Sequence, residues 1–541
     1  MAQIIMRVFS FLLVFIFSSF AHAEETIISI IGTADLHGRL ATLPLLGGYL
    51  DVLRAARPGR VVLVDAGDAF QGTLESDMNE GEAVIRAYAL LGYNALAIGN
   101  HEFDYGPVGA KSASDVGDDP RGALKARAVQ AQNVFPFLAA NLQENGKPLS
   151  WRNVHPSTLV KLQNGLRVGI IGATTIKTPE TTLAANFGGM SVAPLFETIV
   201  SEANKLRHEG AQIVIVAAHA GGRCQNFDNA GDLSSCDQSE EIFQLAQKLP
   251  AHMVDAIVAG HVHAGIAHEV NGIPIIESYF QGIAFGRIDL SYNTKSKQIT
   301  HKTIFPPHRL QTHDTYEVKP VLPKKNIEET IAPALAAAET KRENLVGADL
   351  ETPFEKSYSD ESPLGNLVTS LMLKLQPKAA VAITNGGGLR ADLPAGLLHY
   401  GALYNALPFE NRFAFIHMKG AMLKKIFSKN LTSKGGILSI AGAHVESQCS
   451  GGQLIVQMKL DSGRAIADDE DVAVITSDFL ATGGDGFSRS ESTEPASKMP
   501  VIREAIADYF RKNHLHLQIK DWFNKEQPRV SIKMPRPVTC S

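Results

Sequence analysis

Six short runs of β-branched and aliphatic residues punctuate the first half of the chain: 26–32 (TIISIIG), 60–67 (RVVLVDAG), 94–100 (NALAIGN), 166–174 (LRVGIIGAT), 211–220 (AQIVIVAAHA) and 255–263 (DAIVAGHVH). Their length and composition predict buried strands. Between several of them the pattern changes to helical spacing, as in 82–92 (EAVIRAYALLG) and 239–249 (SEEIFQLAQKL). Such alternation predicts an α/β domain with helices packed on both faces of its sheet or sheets. Nearly every one of these strands ends in a residue able to bind a metal.

Around 326–345 the segment NIEETIAPALAAAETKRENL is alanine-rich, charged and helical in period despite Pro333, and it follows the Pro- and Lys-containing VKPVLPKKN. This predicts a helical connector between two domains. The remainder mixes helical patterns (LGNLVTSLMLKL, GAMLKKIFSKN) with strand patterns (KAAVAITNGG, RFAFIHMKG, QLIVQMKL, DVAVITSDFL), which predicts a second α/β domain. The acidic run 468–471 (DDED) reads as a solvated turn, and no internal repeat is present.

Composition adds compartment and partner. Arg7, the apolar run Val8 to Phe17 and the small-x-small Ala21-His22-Ala23 form the pattern of a signal peptide over 1–23, so the chain is expected to be exported, to a periplasm or outside the cell. The apolar run is short of a membrane span and neither terminus shows a lipid signal, so no stable membrane anchor is expected. A formal net charge of −5 argues against a nucleic-acid polymer as partner, and any phosphate must be caught locally. Four cysteines, Cys224, Cys236, Cys449 and Cys540, favour disulfides in an oxidising compartment. Cys224 with Cys236 closes a short loop, which leaves Cys449 with Cys540, although three pairings are open to the sequence. Oligomeric state is not legible.

The strand-end residues are Asp35 and His37 (TADLHG), Asp68 (DAGDAFQG), Asn100 (GNHEFD), His219 (AAHAGG), and His261 and His263 (AGHVH). Nitrogen and oxygen donors without a thiolate suit a binuclear centre of Zn, Mn, Co or Fe. Asp35 and His37, like His261 and His263, are two residues apart and can converge on one ion from an extended strand end. A carboxylate such as Asp68 can bridge two ions through its two oxygens. Ligands at the carboxyl ends of strands sit where an open α/β sheet offers its crevice.

These motifs, in this order, resemble the calcineurin-like metallophosphoesterases, and more narrowly the secreted 5'-nucleotidase and UDP-sugar hydrolase family, over nearly the whole mature chain. The resemblance implies an N-terminal four-layer α/β/β/α metallophosphoesterase domain (24–325), a helical linker (326–345) and a C-terminal α/β substrate-binding domain (346–541). It implies two divalent ions, one held by Asp35, His37, Asp68 and His263, the other by Asp68, Asn100, His219 and His261. His101 would face the leaving group and Asp104 would orient its imidazole, while a metal-activated hydroxide attacks phosphorus in line. Glu102 has no role in this scheme and is expected to be solvated or to cap.

In the same family the second domain binds the nucleoside. The resemblance assigns substrate contacts to Asn385 and Arg390 (TNGGGLR), Phe413 (LPFENRF), and Phe479 and Asp485 (SDFLATGGDGF), with the two rings sandwiching a base and the carboxylate accepting from ribose. One departure is present: where family members commonly carry an arginine shortly before Gly365-Asn366, this chain has Tyr358 and Ser359, with Lys356 nearby. The expected function is phosphate release from nucleoside 5'-monophosphates, extending to di- or triphosphates or UDP-sugars. The alternatives are a 2',3'-cyclic nucleotide phosphodiesterase or a sulfur-ester hydrolase on the same metal site, and, further off, a nucleotide-binding protein without turnover.

Overall fold

In the computed structural model the described residues are 25–109, 112, 114, 117–490, 492–494 and 498–540. The expected signal peptide, 1–23, lies outside them. Among the described residues no helix is long and apolar enough to cross a membrane.

The strand Glu25–Thr33 pairs in parallel with Val61–Asp65, which pairs in parallel with Ala95–Ala97, and on its other side it pairs antiparallel with Ala284–Asn293. Together with their neighbours they form a mixed seven-stranded sheet. A second sheet of six strands is centred on Arg167–Thr174, Ile213–His219 and Ala256–Ala259, all parallel. The two sheets share one apolar layer, in which Ile28, Ile30, Val62 and Val64 meet Val168, Ile170, Ile213 and Ile215. Alternate residues of the same strands point outward. On the first sheet they meet the helices Leu43–Ala56 and Glu82–Leu91, and on the second they meet Leu195–His208 and Glu241–Lys248. The result is the expected α/β/β/α sandwich.

Strands at 265–270, 273–278, 284–293 and 298–309 were not anticipated. Ala284–Asn293 hides its period because Arg287 and Asp289 sit inside it, paired to each other at 2.6 and 2.8 Å. Gln298–Arg309 is an edge strand with little burial on either face, so it lacks the apolar signal of its neighbours.

The connector forms one helix, Lys325–Arg342, running through Pro333. Ile327 and Ile331 are buried in the core of the first domain, and Ala338 in that of the second. The second domain is built around a four-stranded sheet with Val381–Asn385 and Asp471–Ser477 parallel at its centre, flanked by Phe413–Lys419 and Leu438–Ala441. Helices Pro363–Leu375, Gly420–Leu431 and Ile502–Asn513 cover it. Cysteines pair as Cys224–Cys236 and Cys449–Cys540, the second tethering the tail to the strand Ala443–Ser450.

Candidate metal centre and substrate cleft

Strands of both sheets end at one place. Asp35 and His37 follow the strand ending at Thr33, Asp68 follows Asp65, Asn100 follows Ala97, His219 is the last residue of its strand, and His261 and His263 follow Ala259. Five of these seven, Asp35, His37, Asp68, His261 and His263, hold positive φ between 48° and 83°. That region is unfavourable for residues with a Cβ, and strain of this kind concentrates at functional sites.

Two groups of donors result, Asp35 with His37 and His263, and Asp68 with His219 and His261. His37 Nε2 lies 3.0 Å from His263 Nε2, which lies 3.4 Å from Asp35 Oδ1. His219 Nε2 lies 3.0 Å from Asp68 Oδ2, 3.0 Å from Asn100 Oδ1 and 3.2 Å from His261 Nδ1. Bond lengths of about 2.0–2.2 Å to a shared cation give ligand separations of about 3.0–3.4 Å, so the donor set fits divalent ions. Tautomers fit as well. His37 Nδ1 is 2.8 Å from the Gln71 carbonyl and His219 Nδ1 is 2.9 Å from that of Ala66, so each donates there and leaves Nε2 as a bare lone pair.

Burial, aided by nearby imidazoles, pushes His37 and His263 well below the ordinary imidazole range and His261 down to about 3, keeping them neutral as ligands must be. Burial opposes charge on His219 too, but contact with Asp68 overrides it and raises the group to about 10. A cation between the two would take the place of that proton.

His101 stands at the mouth. Its Nδ1 is 2.6 Å from Asp104 Oδ2 and its Nε2 is 4.0 Å from Asp68 Oδ2. Glu102 is neither solvated nor a helix cap. It is 1 % exposed and accepts from the backbone N–H groups of Asp68, Ala69 and Gly99 at 2.7–2.8 Å. One carboxylate thus ties the loop carrying Asp68 to the loop carrying Asn100. Glu277 does the like on the other side: it is buried at the end of Ile273–Ser278 and accepts from Gly222 N–H, beyond His219, at 3.0 Å. A Cβ on Gly221 would lie 2.2 Å from the Gly260 carbonyl and 2.5 Å from Glu277 Oε2, so glycine is required there.

The second domain closes the cleft. Asn385 Nδ2 donates to Asp485 Oδ2 at 2.6 Å, so these two meet as a pair, with Asp485 at φ +51°. The Arg390 guanidinium lies 5.5 Å from the ring centre of Phe409, and that ring stacks on His101 at 5.4 Å. Phe479 is half-buried against Gly484. Phe413 requires correction: it is 0 % exposed, paired with Ser477 inside the sheet and packed in the core, so it cannot wall a cleft. The ring of the same motif that faces the site is Phe409, which the sequence reading missed. The available signal was its place in the polar turn after Pro408, outside the strand alternation that Phe413 begins. Lys356 and Tyr358 are both exposed.

A two-sheet sandwich whose strand ends converge in oxygen and nitrogen donors defines a metal-dependent hydrolase domain. Residues 28–265 match the calcineurin-like phosphoesterase family and residues 338–491 the C-terminal domain of 5'-nucleotidases, and the chain belongs to the 5'-nucleotidase branch of the calcineurin-like phosphoesterases, hydrolases that use divalent metals. It is 26 % identical to Protein UshA of Escherichia coli, over 81 % of this chain and 80 % of that protein. It is 25 % identical to the trifunctional nucleotide phosphoesterase YfkN of Bacillus subtilis over 79 % of this chain, but spans only 30 % of that longer protein. The 5'-nucleotidase precursor of Thermus thermophilus shares the fold, with a TM-score of 0.73 at 21 % identity, covering 94 % of this chain and all of that one.

Proposed function

We propose that the protein is an exported phosphohydrolase that releases phosphate from nucleoside 5'-monophosphates. The observation that carries this is the meeting of two sets of groups. The convergent donors of the first domain lie beside Arg390 and Phe409 of the second, with His101 between them. An aromatic wall within reach of a phosphate centre fits an ester whose leaving group is a nucleoside.

In this reading Asp35, His37, Asp68 and His263 hold one divalent ion, and Asp68, Asn100, His219 and His261 the other. The ions supply charge for phosphate oxygens and acidify water near neutrality. Arg390 offers its planar fork to the remaining phosphate oxygens. His101, oriented by Asp104, directs Nε2–H toward the departing ester oxygen and stabilises the charge that develops there. Phe409 and Phe479 flank the base, and the Asn385–Asp485 pair meets ribose hydroxyls. The leader at 1–23 supports export. YfkN, by its name a trifunctional nucleotide phosphoesterase, supports the substrate class.

The test is phosphate release by metal-stripped protein reloaded with Mn, Co or Zn, against AMP, ATP, UDP-glucose and a 2',3'-cyclic nucleotide. AMP is expected to be the best substrate and to need metal. Faster hydrolysis of the cyclic ester, or of none of the four, would overturn the reading.

A further inference from the structure

Behind Phe409 lies a buried cation that the proposed chemistry does not use. Arg503 is the second residue of the helix Ile502–Asn513 and its side chain is 2 % exposed. Its Nη1 donates to the Leu407 carbonyl at 2.9 Å and the Phe409 carbonyl at 3.3 Å, and its Nη2 to Glu410. Nε donates to Glu504 at 2.9 Å, and the guanidinium lies 4.2 Å from the ring centre of Tyr404. Every edge of the fork is engaged, most of it on the turn 407–410. Burying an arginine is costly unless it is paired and hydrogen-bonded, and an ammonium could not reach this many partners in one plane.

The turn is held from the other side as well. Gln71 of the first domain donates to the Pro408 carbonyl at 3.2 Å, and the Tyr404 hydroxyl donates to Asp77 at 2.6 Å. Leu407, Asn411, Ile502 and Arg503 line the pocket beside the ring, so the clamp and its neighbours back Phe409 directly.

We infer that Arg503 is a positioning residue for substrate recognition: it clamps the turn 407–410 so that Phe409 stands against His101 as the wall a nucleobase meets. This rests on the nucleotide reading above. Loosening the clamp lets the ring wander and weakens binding of the base while leaving the phosphate chemistry alone.

The experiment compares AMP with ribose 5-phosphate, which carries the same ester without a base, in wild type and Arg503→Lys. The expected result is a rise in KM for AMP of about tenfold, with kcat within about threefold and KM for ribose 5-phosphate unchanged. Adding Phe409→Ala to Arg503→Lys should then raise KM for AMP no further than Phe409→Ala alone, since both act through one ring. An unchanged KM for AMP in folded Arg503→Lys, or equal losses on both substrates, would overturn the inference. Should that variant fail to fold, Glu410→Gln, which frees one edge of the clamp at a partly exposed position, is expected to raise KM for AMP about threefold, and no rise would overturn it. Wild type that does not prefer AMP to ribose 5-phosphate would instead remove the nucleotide reading, and the inference with it.

Discussion

Glu102 and Glu277 occupy sites where a charge is expensive, and both lie behind the donors. Burial, reinforced by Asp68, lifts Glu102 to about 8 even though three N–H groups point at it. Backbone amides aimed at one carboxyl fix where Asp68 and Asn100 stand, and second-layer partners of this kind commonly set metal affinity. Glu102→Gln should therefore weaken Mn binding by about 10–100-fold in calorimetry while the circular dichroism spectrum stays that of wild type. An unchanged affinity would mean that the loops hold their shape without it. The two phenylalanines of LPFENRF separate the same way. Phe413→Ala empties a fully buried site and should cost about 3–5 kcal/mol of stability, whereas Phe409→Ala should leave the melting temperature near wild type and raise KM for AMP. The reverse pattern in melting and kinetics would restore Phe413 to the cleft.

Elements were legible where one physical demand dominated. Val61–Asp65, Ile213–His219 and Ala256–Ala259 are buried on both faces, so their sequences are continuous apolar runs, and the ligands stand out at their ends. The strands from 284 to 309 were not legible, because an internal ion pair and an exposed edge dilute the pattern. Glu102 was invisible for a related reason: its role depends on three amides that only the turn geometry brings together. The short helix Asp478–Ala481, which carries Phe479, adds a pH dependence. Burial raises Asp478 to about 6, against the pull of the Arg412 and Phe479 N–H groups. An unfolded aspartate releases its proton near 4, so the native state binds more protons between about pH 4 and pH 6, and stability falls as pH rises through that window. Asp478→Asn should flatten this part of the urea-midpoint profile. An identical slope in the variant would contradict the assignment.

Across the whole molecule the domains touch through unequal bonds. Lys434 meets Asp237 at 2.6 Å, but the lysine is 62 % exposed, so by itself the pair contributes little. Tyr404 to Asp77 at 2.6 Å and Gln71 to the Pro408 carbonyl at 3.2 Å are sheltered contacts between the domains, and Arg342 of the linker helix meets buried Glu75 at 2.7 Å. The linker helix has apolar anchors in both cores, which ties the two bodies together. Because Phe409 of the second domain packs against His101 of the first, nucleotide entry is expected to require the domains to part. Joining Asp237→Cys to Lys434→Cys with a short bis-maleimide should lower kcat for AMP by at least about tenfold, in line with cleft opening as an obligatory step. Full activity in the linked protein would show that substrate passes without opening.

The central claim, that ester cleavage takes place at the strand-end centre with His101 acting on the leaving group, is tested most directly by one comparison. Metal content and AMP hydrolysis are measured together in wild type and His101→Ala, each stripped and reloaded with Mn. The prediction is about two ions per chain in both proteins and a fall in kcat of about 10²–10⁴-fold in the variant. Equal turnover in the two proteins at equal metal content would contradict it.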